Sequence, residues 1–262
     1  MEKRKIIFIH GLWIHSSSWK PWMDFFNQRG YETLNPSWPG DSATVAECRA
    51  NPQAIANRGV TEIADSYARV IATLAAPPIV IGHSFGGLIT QVILGRGLAV
   101  AGIAIDPAPI KGVWQLPFSA LKASFPILGN PFNFKKAKSL SFGQFRYGFA
   151  NAVPEEEARA LYENWTIPAP CRPLFQAATA SFAGSETKVN TGNKNRGPLL
   201  ITGGERDHIA PPILGKASLK KYSGSPVTEF KIFADRGHSL IIDHGWREVA
   251  EYALAWLNKQ GL

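Results

Sequence analysis

The 262-residue chain is 45% hydrophobic, 18% charged and 11% aromatic, which argues against a disordered protein and leaves room for one substantial core. Its formal charge of +8 is scattered, with small basic clusters only at Lys3-Arg4-Lys5, Lys135-Lys136-Ala137-Lys138 and Lys220-Lys221. A solvated surface is expected from them, not a nucleic-acid stripe or a membrane patch. Cys48 and Cys171 stand far apart and outside any metal spacing, so neither a disulfide framework nor a zinc site is indicated, and a reduced, cytoplasmic setting fits.

The opening MEKRKIIFIHGLW reads as a strand over residues 5–10, because His10-Gly11 interrupts the apolar run and no small-residue cleavage site follows. No run approaches the ~20 apolar residues a membrane helix needs. Residues 19–29 then carry a helical pattern, and 31–35 a second strand. Over 60–74, Ile63, Tyr67, Val70, Ile71 and Leu74 share one helical face, with Pro77-Pro78 as the stop. Residues 79–81 are apolar on both faces, as a central parallel strand is. A helix follows with Phe85, Leu88, Ile89, Val92 and Ile93 at helical spacing, and residues 100–105 make another buried strand, ending at Asp106-Pro107. Strand and helix alternate as in a doubly wound, mostly parallel α/β sheet.

The alternation breaks over 107–195, where helical fragments, aromatics and prolines predominate without a clear strand. A bare loop of that length is unusual in a compact domain, so the expectation is a mainly helical lid inserted between two parts of one core, 1–106 and 196–262. The pattern resumes with strands at 198–202 and 227–233. A closing helix then presents Trp246, Val249, Ala250, Ala253 and Leu257 on one side.

Gly82-His83-Ser84-Phe85-Gly86 lies between the strand at 79–81 and the following helix. It fits GxSxG, in which the serine occupies a strained strand-to-helix turn and small neighbours let the chain fold tightly around it. A plain glycine turn and a phosphate-binding loop are the competing readings. The flanking elements weaken the first, and the lack of GxxxxGK[ST] or GxGxxG spacing weakens the second.

A serine hydroxyl needs a base. Of six histidines, His238 is best placed, in Asp235-Arg236-Gly237-His238-Ser239 just after the last strand. His244 is expected to begin the closing helix in a structural or exposed role, while His10 and His83 could shape the site without taking the proton. A base needs a carboxylate to hold its tautomer. Asp207, in Gly203-Gly204-Glu205-Arg206-Asp207-His208, leads because its loop immediately precedes the strand that delivers His238, and Pro211-Pro212 is expected to cap the loop beyond. Asp106, at the end of the strand after the Ser84 helix, is the rival. Two backbone N–H groups are needed to hold an oxyanion. Phe85 supplies one, and Leu12, turned by Gly11, is expected to supply the other.

Together IIFIHGLW, GHSFGG, GGERDH and DRGHSL, in this order across nearly the whole chain, resemble the α/β-hydrolase superfamily. The resemblance implies that fold, a Ser84/Asp207/His238 triad, a Leu12/Phe85 oxyanion hole and no cofactor. Within the superfamily the chain is similar to small esterases, lactonases and cofactor-free haloperoxidase-like members. Serine at position 84 instead of aspartate argues against dehalogenase or epoxide hydrolase chemistry. The chain departs from the family in starting at the strand before HG, so the outer strands often found upstream are expected to be absent.

The resulting expectation is acyl transfer from a medium-sized, largely apolar ester or lactone, since an aromatic-rich lid tends to build an apolar pocket. Trp13 and His15 are the pocket candidates. The insertion's own aromatics, among them Trp114, Phe118, Phe125, Phe132, Phe145 and Phe149, are expected mostly to form lid core. A carbon–carbon lyase of hydroxynitrile type and a low-turnover ligand receptor are the alternatives from other classes.

Overall fold

The computed structural model describes residues 3–180, 186–222 and 226–262; the stretches 1–2, 181–185 and 223–225, which fall within the expected core and insertion, lie outside the described residues. The chain runs β1 (Lys5–Ile9), α1 (Lys20–Asn27), β2 (Glu32–Leu34), α2 (Val45–Ala50), α3 (Val60–Ala72), β3 (Ile79–His83), α4 (Phe85–Gly95) and β4 (Ala101–Ile105). Next come α5 (Phe118–Leu128), β5 (Ala137–Lys138), α6 (Phe142–Gly148), α7 (Glu155–Trp165), β6 (Ala169–Pro170) and α8 (Arg172–Thr179), and the chain closes with β7 (Leu199–Gly204), α9 (Pro212–Leu219), β8 (Thr228–Phe233) and α10 (Trp246–Lys259).

Six of these strands form one sheet in the order β2-β1-β3-β4-β7-β8, every neighbouring pair parallel. Parallel strands bury both faces, and the side-chain alternation shows it. Ile6, Phe8, Ile79, Ile81, Ile103 and Leu200 face a core built with α1 and α10. Their chain neighbours Ile7, Ile9, Val80, Ala104 and Ile201 face a second core with α3, α4 and much of the 107–195 segment. α4 is buried along its whole length, so it reads as hydrophobic all round and not as an amphipathic surface helix.

The expected architecture is the observed one, with four local differences. α3 ends at Ala72, ahead of Pro77-Pro78. Pro211-Pro212 does not cap a loop but starts α9, a position where the missing proline N–H would have had no helical acceptor anyway. Short α2 is set by a capping box, the Thr44 hydroxyl accepting from the Glu47 amide while the Glu47 carboxylate accepts from the Thr44 amide. His244 precedes α10 instead of opening it, and its ring lies at the surface 2.9 Å from a Glu157 carboxylate oxygen.

Between β4 and β7 the chain is mainly helical, but β5 and β6 also pair, antiparallel, as a two-stranded ribbon that short-window periodicity cannot detect. The aromatics of this segment divide. Phe145 and Phe149 are buried, whereas Trp114, Phe118, Phe125 and Phe132 are 58%, 80%, 70% and 81% exposed. The expectation that most of them form lid core is therefore corrected for these four. On α5, Phe118, Leu121 and Phe125 recur at i, i+3 and i+7, a stripe that one further packing layer would bury, and no described element lies over it.

Candidate active site

Ser84 sits where β3 becomes α4, with φ +57° and ψ −121°, a backbone region that side-chain-bearing residues rarely occupy. The surroundings hold it there. Its amide donates to the Ile105 carbonyl at 2.9 Å, and its carbonyl accepts from the Leu88 and Ala108 amides. The glycines of the motif are sterically required. A Cβ on Gly82 would overlap the Gly86 carbonyl, and one on Gly86 would overlap the Ile9 carbonyl.

The loop after β1 lies directly against this turn. A Cβ on Gly11 would come within 2.7 Å of Ser84 Cβ and 3.3 Å of its Oγ. Gly11 is thus small because the serine is there. The Leu12 amide follows immediately, and Phe85, as the first residue of α4, has an N–H without an intrahelical acceptor. Trp13 takes φ +65°, and its indole Nε1 donates to the Lys138 carbonyl at 2.9 Å, tying the loop to β5. The loop is further held to the end of α7 by His15 N to Trp165 O and Ile167 N to Trp13 O.

Across the sheet edge, His238 and Asp207 meet. His238 Nδ1 donates to Asp207 Oδ2 at 2.6 Å, both side chains wholly buried. Asp207 Oδ1 accepts the Ile209 and Ala210 amides at 2.7 and 2.9 Å. Burial pushes the Asp207 carboxyl up, but the adjacent His238 and the hydrogen bonds to it outweigh this and hold it below the usual carboxylate value. With Asp207 ionised, the ring proton of His238 must sit on Nδ1, leaving Nε2 as the acceptor. That atom is buried and bonds to nothing among the described residues; no hydrogen bond joins it to Ser84 in this state.

Asp106 stands behind Asp207. One oxygen from each of Asp106 and Asp207 and a ring nitrogen of His238 lie within 4.8 Å of one another, all three residues buried. Asp106 Oδ2 accepts the Gly204 amide at 2.9 Å, and Thr202 Oγ1 lies 3.4 Å from Oδ1. Burial, then the Asp207 charge, then the hydrogen bond to Asp207 raise the Asp106 carboxyl well above the ordinary range. Two carboxylates this close in a dry interior disfavour each other's charge, so the proton the pair retains is favoured on Asp106, from which it can be donated towards Asp207.

The His83 and His238 rings pack at a 46° tilt with centres 4.4 Å apart, and His83 Nε2 donates to the His238 carbonyl at 2.9 Å. Burial, helped by the neighbouring His238, drives the His83 imidazole well below its usual value, so it stays neutral. Phe149 packs edge-on against the His238 ring at 4.9 Å, and Ser239 N donates to its carbonyl. Downstream, the Arg236–Asp243 ion pair and the Ser239 hydroxyl bonded to Asp243 brace the loop carrying His238.

Ser84 and Phe85 open onto an apolar cavity of about 170 Å³ whose walls include Trp13, Leu116, Leu121 and Ile209. Trp13 is thus at the pocket, but His15 is not among its walls. The His15 ring is spent on Ser17 Oγ at 2.7 Å and the Ser42 carbonyl at 3.1 Å, capping the turn over Ser16–Trp19. His10 likewise lies off the cavity, stacked on Trp38 and 3.2 Å from Asp41. Asp106, the rival acid expected at this sheet edge, lies in the same cluster as Asp207 and His238. Phe149 against His238 was beyond sequence reasoning, since that contact leaves no spacing signal.

A parallel sheet whose central strand delivers a serine at a sharp turn into a buried helix, with a buried acid–histidine pair from the last two strand ends, defines the α/β-hydrolase class. Residues 6–252 match the model of the alpha/beta hydrolase family, and the chain belongs to that family. Solved structures with the same fold include a methylesterase from Arabidopsis, with a TM-score of 0.68, 12% identity, and 97% of this chain and 99% of that one covered. A monoacylglycerol lipase from Paleococcus ferrophilus aligns with a TM-score of 0.66 at 18% identity over 98% of this chain and 94% of its own. A pyrethroid hydrolase from Sphingobium faniae aligns with a TM-score of 0.68 at 14% identity over 98% of both chains. No curated protein sequence matches the chain significantly. No helix among the described residues is long and apolar enough to cross a membrane.

Proposed function

We propose that the protein is a serine hydrolase that cleaves a medium-sized, largely apolar carboxylic ester or lactone through an acyl-enzyme on Ser84, with the 107–195 segment acting as the lid that walls its pocket. The observation that carries this reading is the pairing of a strained serine at an apolar cavity with a buried, Asp207-bonded histidine whose Nε2 lacks a partner. Buried acceptors without donors are rare, and a serine hydroxyl closing on Nε2 when substrate binds would satisfy this one. Structures of the same fold named as a methylesterase, a lipase and a pyrethroid hydrolase support an ester as the substrate class.

In the proposed cycle His238 Nε2 takes the Ser84 proton as Oγ bonds to the carbonyl carbon, and the carbonyl electron pair moves to oxygen. The amides of Leu12 and Phe85 hold that oxyanion. Its collapse breaks the bond to the alcohol oxygen, which receives the proton from His238. Water then repeats the two steps on the acyl-enzyme, releasing the acid and restoring Ser84. Asp207 stabilises the imidazolium, and Asp106 positions Asp207 as a hydrogen-bond donor.

The test is a panel of p-nitrophenyl esters of graded chain length beside a set of lactones. Ser84→Ala is expected to lower kcat by about 10,000-fold, and intact-protein mass spectrometry of the parent chain with an activated ester should show an acyl adduct on Ser84. Unchanged hydrolysis by Ser84→Ala would overturn the reading. Turnover of a cyanohydrin without an adduct would assign the site to lyase chemistry instead.

A further inference from the structure

Between Asp106 and Glu155 the chain carries five lysines and one arginine and not one acid, so this segment supplies six of the eight net positive charges. The same segment holds the exposed apolar side chains described above. Phe118, Leu121 and Phe125 form a stripe along α5, and Trp114 and Leu116 lie just before it, 58% and 69% exposed. Phe132 joins the end of α5 through Asn133, whose side-chain amide donates to the Ile127 carbonyl at 3.0 Å. Lys122 projects from α5 itself, its Nζ 4.3 Å from the Tyr147 ring centre, and Lys135, Lys136 and Lys138 follow Phe132, all exposed.

Water is a poor solvent for so many neighbouring aromatic rings, and monomeric proteins seldom display such a patch without using it. Exposed aromatic and leucine side chains accompanied along the segment by lysines and no acid are the composition of a face that lies in a bilayer interface, its rings among the acyl chains and its ammonium groups against phosphates. A protein surface would be matched by either charge sign, whereas a segment stripped of acids is matched by an anionic one. The patch also borders the cavity. Trp114, Leu116 and Leu121 wall it while remaining solvent-exposed, so whatever covers the patch lies at the mouth that leads to Ser84.

We propose that the α5 face, from Trp114 to Lys138, docks on an anionic lipid surface and presents the mouth of the cavity to it, which gives the Lys135-Lys136-Ala137-Lys138 cluster a role other than the solvated surface expected from sequence. The inference rests on exposure and charge and not on the hydrolysis reading.

Flotation of the full chain with phosphatidylcholine vesicles, with and without phosphatidylserine, tests it at 0.1 M salt. Binding is expected to be at least about ten-fold stronger with phosphatidylserine and to weaken in 0.5 M salt. The Phe118→Ser/Phe125→Ser/Phe132→Ser and Lys135→Glu/Lys136→Glu/Lys138→Glu chains should each bind about 100-fold more weakly, while unfolding cooperatively in urea with the parent's midpoint, which shows them folded. Ser84→Ala should float with the parent, separating this proposal from the fate of the catalytic one. Absence of flotation, equal binding to both vesicle types, or parental binding by both triple variants would overturn the assignment. A dimer by analytical ultracentrifugation that the phenylalanine variant loses, without vesicle binding, would give the face to a second copy of the chain instead.

Discussion

At the scale of single residues, the two buried carboxyl groups decide more than their sequence positions suggest. Asp207 and Asp106 both end up near His238, but their environments push their carboxyl groups in opposite directions, Asp207 below and Asp106 well above the ordinary value. Asp207→Asn should therefore lower kcat/KM by about 1,000-fold or more, because the amide forces the wrong tautomer on His238. Asp106→Asn preserves a donor towards Asp207 and an acceptor for the Gly204 amide, so activity is expected to stay within about ten-fold of the parent. Reversal of these two outcomes in steady-state kinetics would make Asp106 the triad acid. Stability carries a second signature. A raised carboxyl binds a proton in the folded chain that the unfolded chain has released, so its contribution is complete below the unfolded value and is lost as pH climbs towards the folded one. Relative to Asp106→Asn, the parent should lose about 1.4 kcal/mol of unfolding free energy per pH unit over that window, above the ordinary value of 3.8 and below the folded one, measured by urea melts.

At the scale of elements, the site depends on how closely β1, β3 and α4 approach one another. Gly86 lets the start of α4 pass over the Ile9 carbonyl, with no room for even one methyl group. Gly86→Ala is expected to cost about 2 kcal/mol or more and to reduce turnover, since the turn carrying Ser84 must shift. Gly143, inside α6 with open space around its Cα, is the control. Gly143→Ala should be neutral or stabilise by up to about 1 kcal/mol. Equal effects in thermal and urea unfolding would show that the crowding at Gly86 does not govern the turn. The sheet strands and the long helices were legible because each has one strong period or one fully apolar run. The β5–β6 ribbon was not, because two residues per strand carry no period, and α9 was masked by prolines that punctuate loops and helix starts alike.

For the molecule as a whole, stability lies in two cores on opposite sides of one sheet. Trp22 is central to the one farther from the pocket. It is fully buried, packs on Phe8, Trp19 and Phe26, and its indole donates to the Ile241 carbonyl three residues past His238. Trp22→Ala is expected to destabilise by about 3–5 kcal/mol in urea unfolding, with the loss shared by the loop that carries His238. A cost below 1 kcal/mol would show that this core relaxes around the cavity.

The sequence by itself determined the parallel sheet, the order serine, acid, histidine and the glycines around Ser84, because strand burial and tight turns restrict residue type locally. It also favoured Asp207 over Asp106 as the expected partner of His238, the residue that does bond to it. Only the tertiary structure decided that both acids lie together, that His15 caps a turn away from the cavity, that Phe149 faces His238, and that a stripe of phenylalanines stays in solvent. Those outcomes depend on which distant segments meet. An aromatic residue reads the same in sequence whether the next layer covers it or not, and a carboxyl group titrates according to neighbours a hundred residues away.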